Sequence, residues 1–140
     1  MKTVIYNPTS RAKTGVFTAL SGLISQARRF KWQIGGRNLS LDDIEHKILR
    51  KMGDARIHFA VNCASFSCPK ILNRAFTESN VSSQMQALAV AYINDTKHNK
   101  ISPEKAELSQ LFEWYKGDFT KKGSLIDYIN KYSKVKLNAD

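Results

Sequence analysis

The stretch Ser40–Gly53, SLDDIEHKILRKMG, carries the clearest structural signal in the chain. Ser40 is a favourable helix N-cap residue, and Asp43 follows at the third helical position, where a carboxylate completes a capping box. Apolar side chains then recur at helical spacing at Leu41, Ile44, Ile48, Leu49 and Met52. Gly53 stands where such a helix would end. The stretch therefore predicts a helix over residues 41–52.

The residues before this helix predict a hairpin. Phe30, Trp32 and Ile34 alternate with polar residues, which is typical of a short strand. Gly35–Gly36 supplies a turn, and Leu39 begins a return strand. Further upstream, residues 16–27 show helical spacing of apolar side chains, weakened by two glycines.

The residues after this helix predict a second strand and then more helices. Arg56–Cys63 is β-branched, aromatic and small, which favours a short buried strand. Ser65–Pro69 is expected to be irregular, because a residue before proline avoids helical geometry. Helices are predicted over residues 80–94, after Ser109 and after Ser124. We expect Lys134–Asp140 to fray. The chain is therefore predicted to be α+β, mainly helical with a small β-sheet.

Length and composition indicate one globular domain over residues 1–140. The chain has 140 residues, 42% of them hydrophobic and 24% charged, values that are ordinary for a folded domain. The formal net charge is +10, which raises the question of nucleic acid. The Lys and Arg residues lie in ones, twos and short clusters rather than in one block, so we expect a solvated basic surface and no specific nucleic-acid binding.

The sequence offers no signal for a membrane or a cofactor. No run of about 18–20 apolar residues is present, and the first residues lack the apolar core of a signal peptide. No Gly-rich phosphate loop or Walker pattern occurs. We therefore expect no cofactor, and the sequence indicates neither a partner nor a cellular location.

The segment Ile57–Pro69, IHFAVNCASFSCP, holds the residues best suited to chemistry. A nucleophilic cysteine needs a nearby base to form thiolate, and a further group to orient that base. Cys63 is the candidate nucleophile, with His58 or His46 as the base. Asp42, Asp43, Glu45 and Asn62 are the candidates for the orienting group. On one strand, His58 and Cys63 would face opposite sides, so this arrangement requires a bend near residue 62.

Each of these residues also has a structural interpretation. Cys63 follows an apolar run and could be a buried thiol, a disulfide partner of Cys68 or a metal ligand. Zinc is the weakest of these, because no second pair of ligands stands at regular spacing. His58 lies between Ile57 and Phe59 and could be a hydrogen-bonded core histidine. Ser65 and Ser67 could hold the loop through side-chain bonds to its backbone.

Three blocks of sequence resemble one known family. They are IGGRNLSLDDIEHKILR (Ile34–Arg50), RIHFAVNCASFSCP (Arg56–Pro69) and LFEWYKGDF (Leu111–Phe119). Their order and spacing resemble the domain of unknown function 547 (DUF547) family over about residues 30–135. Members of the family carry an upstream segment similar to W-I-N-x-Y-N-A, which Tyr6–Asn7 matches only faintly. The chain is thus expected to be an N-terminally shortened member.

The resemblance implies which polar residues matter. The family's recurring polar positions fall here on Glu45, His46, Arg50, His58, Cys63, Ser65, Ser67 and Cys68. Such a Cys/His set implies a papain-like or transglutaminase-like cysteine hydrolase or acyltransferase that acts on peptide or amide bonds. Cys63, His58, His46 and Glu45 would then be catalytic, and Arg50, Ser65, Ser67 and Asn62 would bind substrate. The alternative is a non-catalytic binding or scaffold module with the same fold.

Overall fold

The structure, a computed structural model, describes residues 3–6, 29–62 and 65–138. Five strands lie within these ranges: β1 (Thr3–Tyr6), β2 (Trp32–Ile34), β3 (Arg37–Leu39), β4 (Lys100–Ile101) and β5 (Lys105–Leu108). Helix α1 runs through three consecutive pieces, Leu41–Asp43, Ile44–Leu49 and Arg50–Met52, and a 3₁₀ helix covers Ala55–Phe59. The remaining helices are α2 (Val81–Ile93), α3 (Gln110–Trp114), α4 (Lys116–Phe119) and α5 (Leu125–Tyr132). The predicted α+β class is confirmed, and the helix expected over residues 16–27 lies outside the described residues.

The strands form two small sheets. In the first, β1 runs parallel to β5, with Tyr6 opposite Leu108, and β4 pairs antiparallel to β5. In the second, β2 and β3 form the predicted hairpin, with Trp32 opposite Leu39. Its turn uses Gly35 and Gly36, whose φ angles of 55° and 74° favour glycine. The three-stranded sheet was missed by the sequence pattern, because β4 and β5 are short and rich in charge.

Helix α1 begins and ends as predicted. The Ser40 side chain accepts a hydrogen bond from the Asp43 amide, the Asp43 carboxylate accepts one from the Ser40 amide, and Gly53 ends the helix with φ 77°. Its apolar face is only partly covered, since Leu41 is 53% exposed and Met52 is 72% exposed. The helix therefore lies at the edge of the core.

The predicted strand over Arg56–Cys63 is wrong, because Ala55–Phe59 forms a 3₁₀ helix. The Asp54 side chain accepts a hydrogen bond from the Arg56 amide and caps this helix, and the amide of Val61 donates to the carbonyl of Ile57. A short apolar run does not by itself distinguish a strand from a buried helical turn, and here the cap decided the outcome. Ser65–Pro69, by contrast, is irregular as predicted.

The core lies where α2, α5 and the 3₁₀ helix meet the larger sheet. Its most deeply buried large side chains are Phe59, Ile93, Leu108, Leu111, Phe112 and Ile129. The expectation that Lys134–Asp140 frays is wrong up to residue 138, because Leu137 is only 3% exposed. The Asn130 side chain pairs with both backbone groups of Leu137, at 2.7 and 2.8 Å. The Asn130 side chain thus bonds to the Leu137 backbone as a neighbouring strand would, and it holds the C-terminal segment against the core.

Candidate functional site

One carboxylate organises the polar residues between α1, the 3₁₀ helix and α4. Asp118 Oδ2 accepts a hydrogen bond from Arg50 Nε at 2.7 Å and pairs with His58 Nε2 at 2.9 Å. Lys121 Nζ lies 3.0 Å from Asp118 Oδ1. The Asp118 side chain is 11% exposed and that of His58 is 1% exposed. We call Glu45, His46, Arg50, His58, Tyr115 and Asp118 the Asp118 cluster.

Helix α1 supplies three members of this cluster because its middle is a π-helix. The Arg50 amide donates to the Glu45 carbonyl, five residues earlier, so these two side chains leave the helix close together. His46 lies between them, and its Nδ1 is 3.2 Å from an Arg50 guanidinium nitrogen. Since arginine only donates, His46 Nδ1 is the acceptor there. His46 Nε2 faces Asp42, at 3.6 Å from Oδ1.

Tyr115 holds the His58 ring in place. The two rings are stacked, with their centroids 3.8 Å apart and an interplanar angle of 19°. The Tyr115 hydroxyl donates to Glu45 Oε1 at 2.8 Å, and the Arg50 guanidinium lies 5.3 Å from the centre of the Tyr115 ring. Burial and the nearby Glu45 carboxylate raise the pKa of Tyr115, so the phenol stays a donor. The Glu45–Tyr115 pair therefore fixes the plane of the imidazole.

Burial and the Asp118 carboxylate together set the protonation state of His58. Burial lowers the pKa of His58 from its ordinary value of 6.5, and Asp118 offsets this only in part. Burial alone would raise the pKa of Asp118, but the hydrogen bonds from Arg50, His58 and Lys121 outweigh it and hold that pKa below its usual range. At neutral pH the carboxylate is ionised and can only accept. The proton of neutral His58 therefore lies on Nε2, and Nδ1 carries the lone pair.

The structure places the remaining predicted site residues in the loop after the 3₁₀ helix. The Asn62 side chain donates to the Pro69 carbonyl at 2.6 Å. The Ser65 side chain accepts a hydrogen bond from the Ser67 amide at 3.4 Å, and the Ser65 carbonyl accepts one from the Cys68 amide at 3.0 Å. Ser67 is fully buried, and its carbonyl accepts from the Tyr92 hydroxyl. These residues thus brace the loop.

One of the two cysteines, Cys68, lies within the described residues. Cys68 is disulfide-bonded, and no free cysteine occurs among the described residues. Cys63 is the only other cysteine in the sequence, and it lies outside those residues. The candidate nucleophile thus stays a prediction. The requirement for a strand bend no longer applies, because His58 lies in a 3₁₀ helix rather than in a strand.

The sequence pattern did not indicate the residue at the centre of the cluster. The orienting group for a histidine was expected among Asp42, Asp43, Glu45 and Asn62. Asp42 does face His46, but the partner of His58 is Asp118. Both Asp118 and Tyr115 stand in the block LFEWYKGDF, which contributed to the family resemblance but received no role. The available signal was an acid placed between the apolar residues of that block. Its partners lie 60 and 68 positions away, beyond the reach of any local pattern.

Comparison with known proteins gives one match. The chain matches the family described as "Protein of unknown function, DUF547" over residues 1–93. It therefore belongs to the DUF547 family, as the blocks Ile34–Arg50 and Arg56–Pro69 indicated, while the third block, Leu111–Phe119, lies beyond the match. The match includes Glu45, Arg50 and His58, while Asp118 lies beyond it. Neither a curated protein nor a solved structure matches the chain.

No group of three or more His, Cys, Asp or Glu side chains in residues 3–6, 29–62 and 65–138 is arranged to hold a metal ion. Over the same ranges, no helix has the length and apolar character needed to cross a membrane.

Proposed function

We propose that this protein is a thiol-dependent hydrolase or acyltransferase that acts on peptide or amide bonds, with His58 as the base. The supporting observation is the 2.9 Å pair between His58 Nε2 and Asp118 Oδ2. An ionised carboxylate on one ring nitrogen fixes the tautomer and stabilises the imidazolium that forms during proton transfer. Tyr115 stacks on the ring and limits its rotation. Nδ1 is thereby prepared to accept a proton.

Cys63 is the nucleophile in this proposal. The Cys63 thiol gives its proton to His58 Nδ1, and the thiolate attacks the carbonyl carbon of the substrate. The C–N bond then breaks, and the imidazolium returns the proton to the leaving amine. Water completes a hydrolysis, or an acceptor amine completes a transfer. Glu45 acts as a positioning residue through Tyr115, and Arg50 holds the Asp118 carboxylate. The papain-like or transglutaminase-like architecture belongs to this proposal through the sequence resemblance alone.

The reaction requires a reduced thiol. Cys68 is disulfide-bonded in the structure, and the sequence holds one other cysteine. Under this proposal a dithiol reductant supplies two electrons and two protons before catalysis, and both sulfurs become thiols. The active form is then the reduced protein.

Alkylation kinetics test this proposal. Cys68→Ser leaves Cys63 as the only thiol, and the rate of its reaction with iodoacetamide is measured from pH 5 to 10. We expect an apparent thiol pKa at least about one unit below the ordinary value of about 8.5. His58→Gln in the same background should return the thiol to ordinary behaviour, and Asp118→Asn should do so in part. His98→Gln is the matched control and should change nothing. An ordinary thiol profile in the Cys68→Ser protein would refute the proposal.

His46 is the other histidine predicted as a base, and the same assay decides between the two. His46 Nδ1 already accepts from Arg50, so we expect His46→Gln to leave the alkylation profile close to that of its parent. If His46→Gln removes the pKa shift and His58→Gln does not, the assignment of the base is wrong. Incubation with p-nitrophenyl acetate then tests acyl transfer, because an acetyl group on Cys63 is detected by mass spectrometry.

A second candidate function is a non-catalytic binding or scaffold module. It is favoured by the 1% exposure of the His58 side chain and by the disulfide at Cys68, since a buried base has little access to substrate. In that case Arg50, His58 and Asp118 stabilise the loop and do no chemistry. His58→Gln would then lower the free energy of unfolding and leave the reactivity of Cys63 unchanged.

A further inference from the structure

The β2–β3 hairpin and the residues just before it expose three large apolar side chains within five positions. Phe30 is 61% exposed, Trp32 is 47% exposed and Ile34 is 48% exposed. Trp32 and Ile34 lie two residues apart on β2, so they share one face of the hairpin. Single exposed apolar residues are ordinary, whereas a group of neighbouring ones marks an interaction surface. None of the three belongs to the Asp118 cluster.

The same stretch carries three exposed cations. Arg29 and Lys31 stand on either side of Phe30 in the sequence, and Arg37 is paired with Ile34 in the register of the hairpin. Directly paired residues project from the same face of a sheet, so the Arg37 side chain lies beside that of Ile34. We call these six residues the hairpin patch: Phe30, Trp32 and Ile34 with Arg29, Lys31 and Arg37.

The cations of the hairpin patch are not neutralised by neighbouring acids. No Asp or Glu occurs between residues 29 and 41. No salt bridge within residues 3–6, 29–62 and 65–138 involves any of the three cations. The next element differs, because Lys47 of α1 pairs with Asp43 and Arg50 pairs with Asp118. The patch therefore presents an unbalanced positive charge, in a chain whose formal net charge is +10.

We propose that the hairpin patch docks on the surface of a membrane that contains anionic phospholipids. The Trp32 ring lies at the level of the lipid headgroups, where indole rings are favoured. The two other apolar side chains reach the boundary of the acyl chains, which removes them from water. The three cations bind lipid phosphates, and the negative potential of the bilayer surface attracts them.

The composition of the patch favours a lipid surface over a nucleic acid. Exposed aromatic rings and cations suit both partners, because bases stack on aromatic side chains and phosphates attract cations. An exposed aliphatic side chain gains nothing from base stacking, whereas the apolar boundary of a bilayer buries it. Ile34 is such a side chain, and it stands directly before the Gly35–Gly36 turn, next to Arg37. An aliphatic and a basic side chain at one tip match the two layers of a lipid surface.

The two tryptophans of the chain are matched reporters for this proposal. Trp32 and Trp114 are almost equally exposed, at 47% and 46%, so exposure alone predicts the same response from both. Trp114→Phe leaves Trp32 as the only tryptophan, and Trp32→Phe leaves Trp114. Each protein is mixed with vesicles of phosphatidylcholine, with and without about one quarter phosphatidylserine. We expect the fluorescence of Trp32 to shift to the blue on the anionic vesicles and that of Trp114 to stay unchanged. Equal responses, or no response from Trp32, would overturn the proposal.

Charge variants locate the attraction, measured as the affinity for anionic vesicles in a sedimentation assay. The hairpin variant combines Arg29→Gln, Lys31→Gln and Arg37→Gln. Each cation near an anionic surface contributes about fivefold in affinity, so we expect a loss of about a hundredfold. The control variant combines Lys70→Gln, Arg74→Gln and Lys97→Gln, which removes the same charge from three exposed positions outside the hairpin. It should stay within about threefold of the parent protein. An equal loss in the two variants would show that net charge alone attracts the protein, and would refute the location.

Apolar variants separate docking from simple electrostatic attraction. Phe30→Ser combined with Ile34→Ser keeps Trp32 and all three cations, and should weaken binding to anionic vesicles about tenfold or more. An unchanged affinity would contradict the insertion of these side chains. Lipids brominated on their acyl chains give the same information without altering the patch. They should quench Trp32 in the Trp114→Phe protein and leave Trp114 unquenched in the Trp32→Phe protein; an unquenched Trp32 would count against the proposal.

The same proteins test the other occupants of the patch. A fluorescein-labelled oligothymidylate of about 20 nucleotides reports binding of single-stranded nucleic acid by its anisotropy. If the hairpin variant loses affinity for this oligonucleotide while the parent protein does not bind anionic vesicles, the partner is a nucleic acid and the proposal is wrong. If the parent protein sediments as a dimer that the apolar variant dissociates, a second copy of the chain covers the patch and the proposal is also wrong. All of these measurements report binding, so their outcome is independent of any thiol chemistry.

Discussion

Asp118→Asn is the sharpest perturbation of the Asp118 cluster. The substitution keeps the size of the side chain and one acceptor oxygen but removes the charge. Two hydrogen bonds converge on Oδ2, from Arg50 Nε at 2.7 Å and from His58 Nε2 at 2.9 Å. A hydrogen bond to a charged group contributes about 1.5–3 kcal/mol, against about 0.5–1.5 kcal/mol for a neutral one. Each bond therefore loses about 1 kcal/mol, while the more exposed pair with Lys121 adds little. We expect a total loss of about 2 kcal/mol.

Urea unfolding at pH 7.5, followed by far-ultraviolet circular dichroism, measures this loss. At a slope of roughly 1.5–2 kcal/mol per molar urea for a domain of this size, the midpoint should fall by about 1 M. Glu78→Gln removes a charge from an exposed position and serves as the matched control. It should stay within about 0.5 kcal/mol of the parent protein.

A double-mutant cycle separates the His58 contact from the general loss of charge. His58→Gln is combined with Asp118→Asn, and the interaction energy is taken from the four free energies of unfolding. We expect a coupling of about 1 kcal/mol or more, because the two side chains share one hydrogen bond in a buried site. If Asp118→Asn changes stability by less than about 0.5 kcal/mol, or if the two effects are additive, Asp118 does not organise the cluster.

Three further outcomes follow from the structure. Tyr115→Phe removes the hydroxyl that donates to Glu45 and should cost about 1 kcal/mol in urea unfolding, with no further loss when Glu45→Gln is added; an additive loss would contradict the pairing. Leu137→Ala should cost about 2–3 kcal/mol in the same assay, since this side chain is 3% exposed; a change below about 0.5 kcal/mol would restore the expectation of a frayed end. Burial lowers the pKa values of His58 and His98, so the unfolded chain takes up protons below its ordinary histidine pKa of 6.5 while the folded chain resists them. Stability should therefore be level above pH 6.5 and fall from there toward pH 5, and His98→Phe should make the fall shallower.

The low pKa of Asp118 acts in a different range of pH. A carboxylate whose pKa is held low in the folded state contributes stability that is complete above its unfolded value of about 4 and is lost as the pH falls below it. A loss of stability between pH 6.5 and 5 is thus assigned to the histidines, and a loss below pH 4 is assigned to Asp118 and other paired carboxylates. Urea midpoints at pH 7.5, 5.5 and 3.5, measured for the parent protein and for Asp118→Asn, separate the histidine contribution to stability from the carboxylate contribution.

Local sequence determined the elements whose ends are closed by their own residues. The helix after Ser40 and the helix after Ser124 each carry a capping box within four residues. The hairpin before Ser40 depends on the positive φ angles of Gly35 and Gly36. Such signals need no distant partner, so the sequence could be used to place these elements within a residue or two. The family could be recognised in the same way, because each of its sequence blocks is one continuous stretch of residues.

Tertiary structure decided the elements and contacts that depend on distant residues. The segment Arg56–Cys63 had the composition of a strand, but its first half forms a 3₁₀ helix that places Phe59 fully buried in the core. Strand β5 became central only because β1 and β4 lie on either side of it. The Asp118 cluster joins residues 60 and 68 positions apart, and the His98 ring stacks on Tyr92. The sequence alone determined where α1 and α5 begin and where the hairpin turns, since caps and glycines act locally. Burial and charge pairing depend on which segments meet, and only the folded chain decides that.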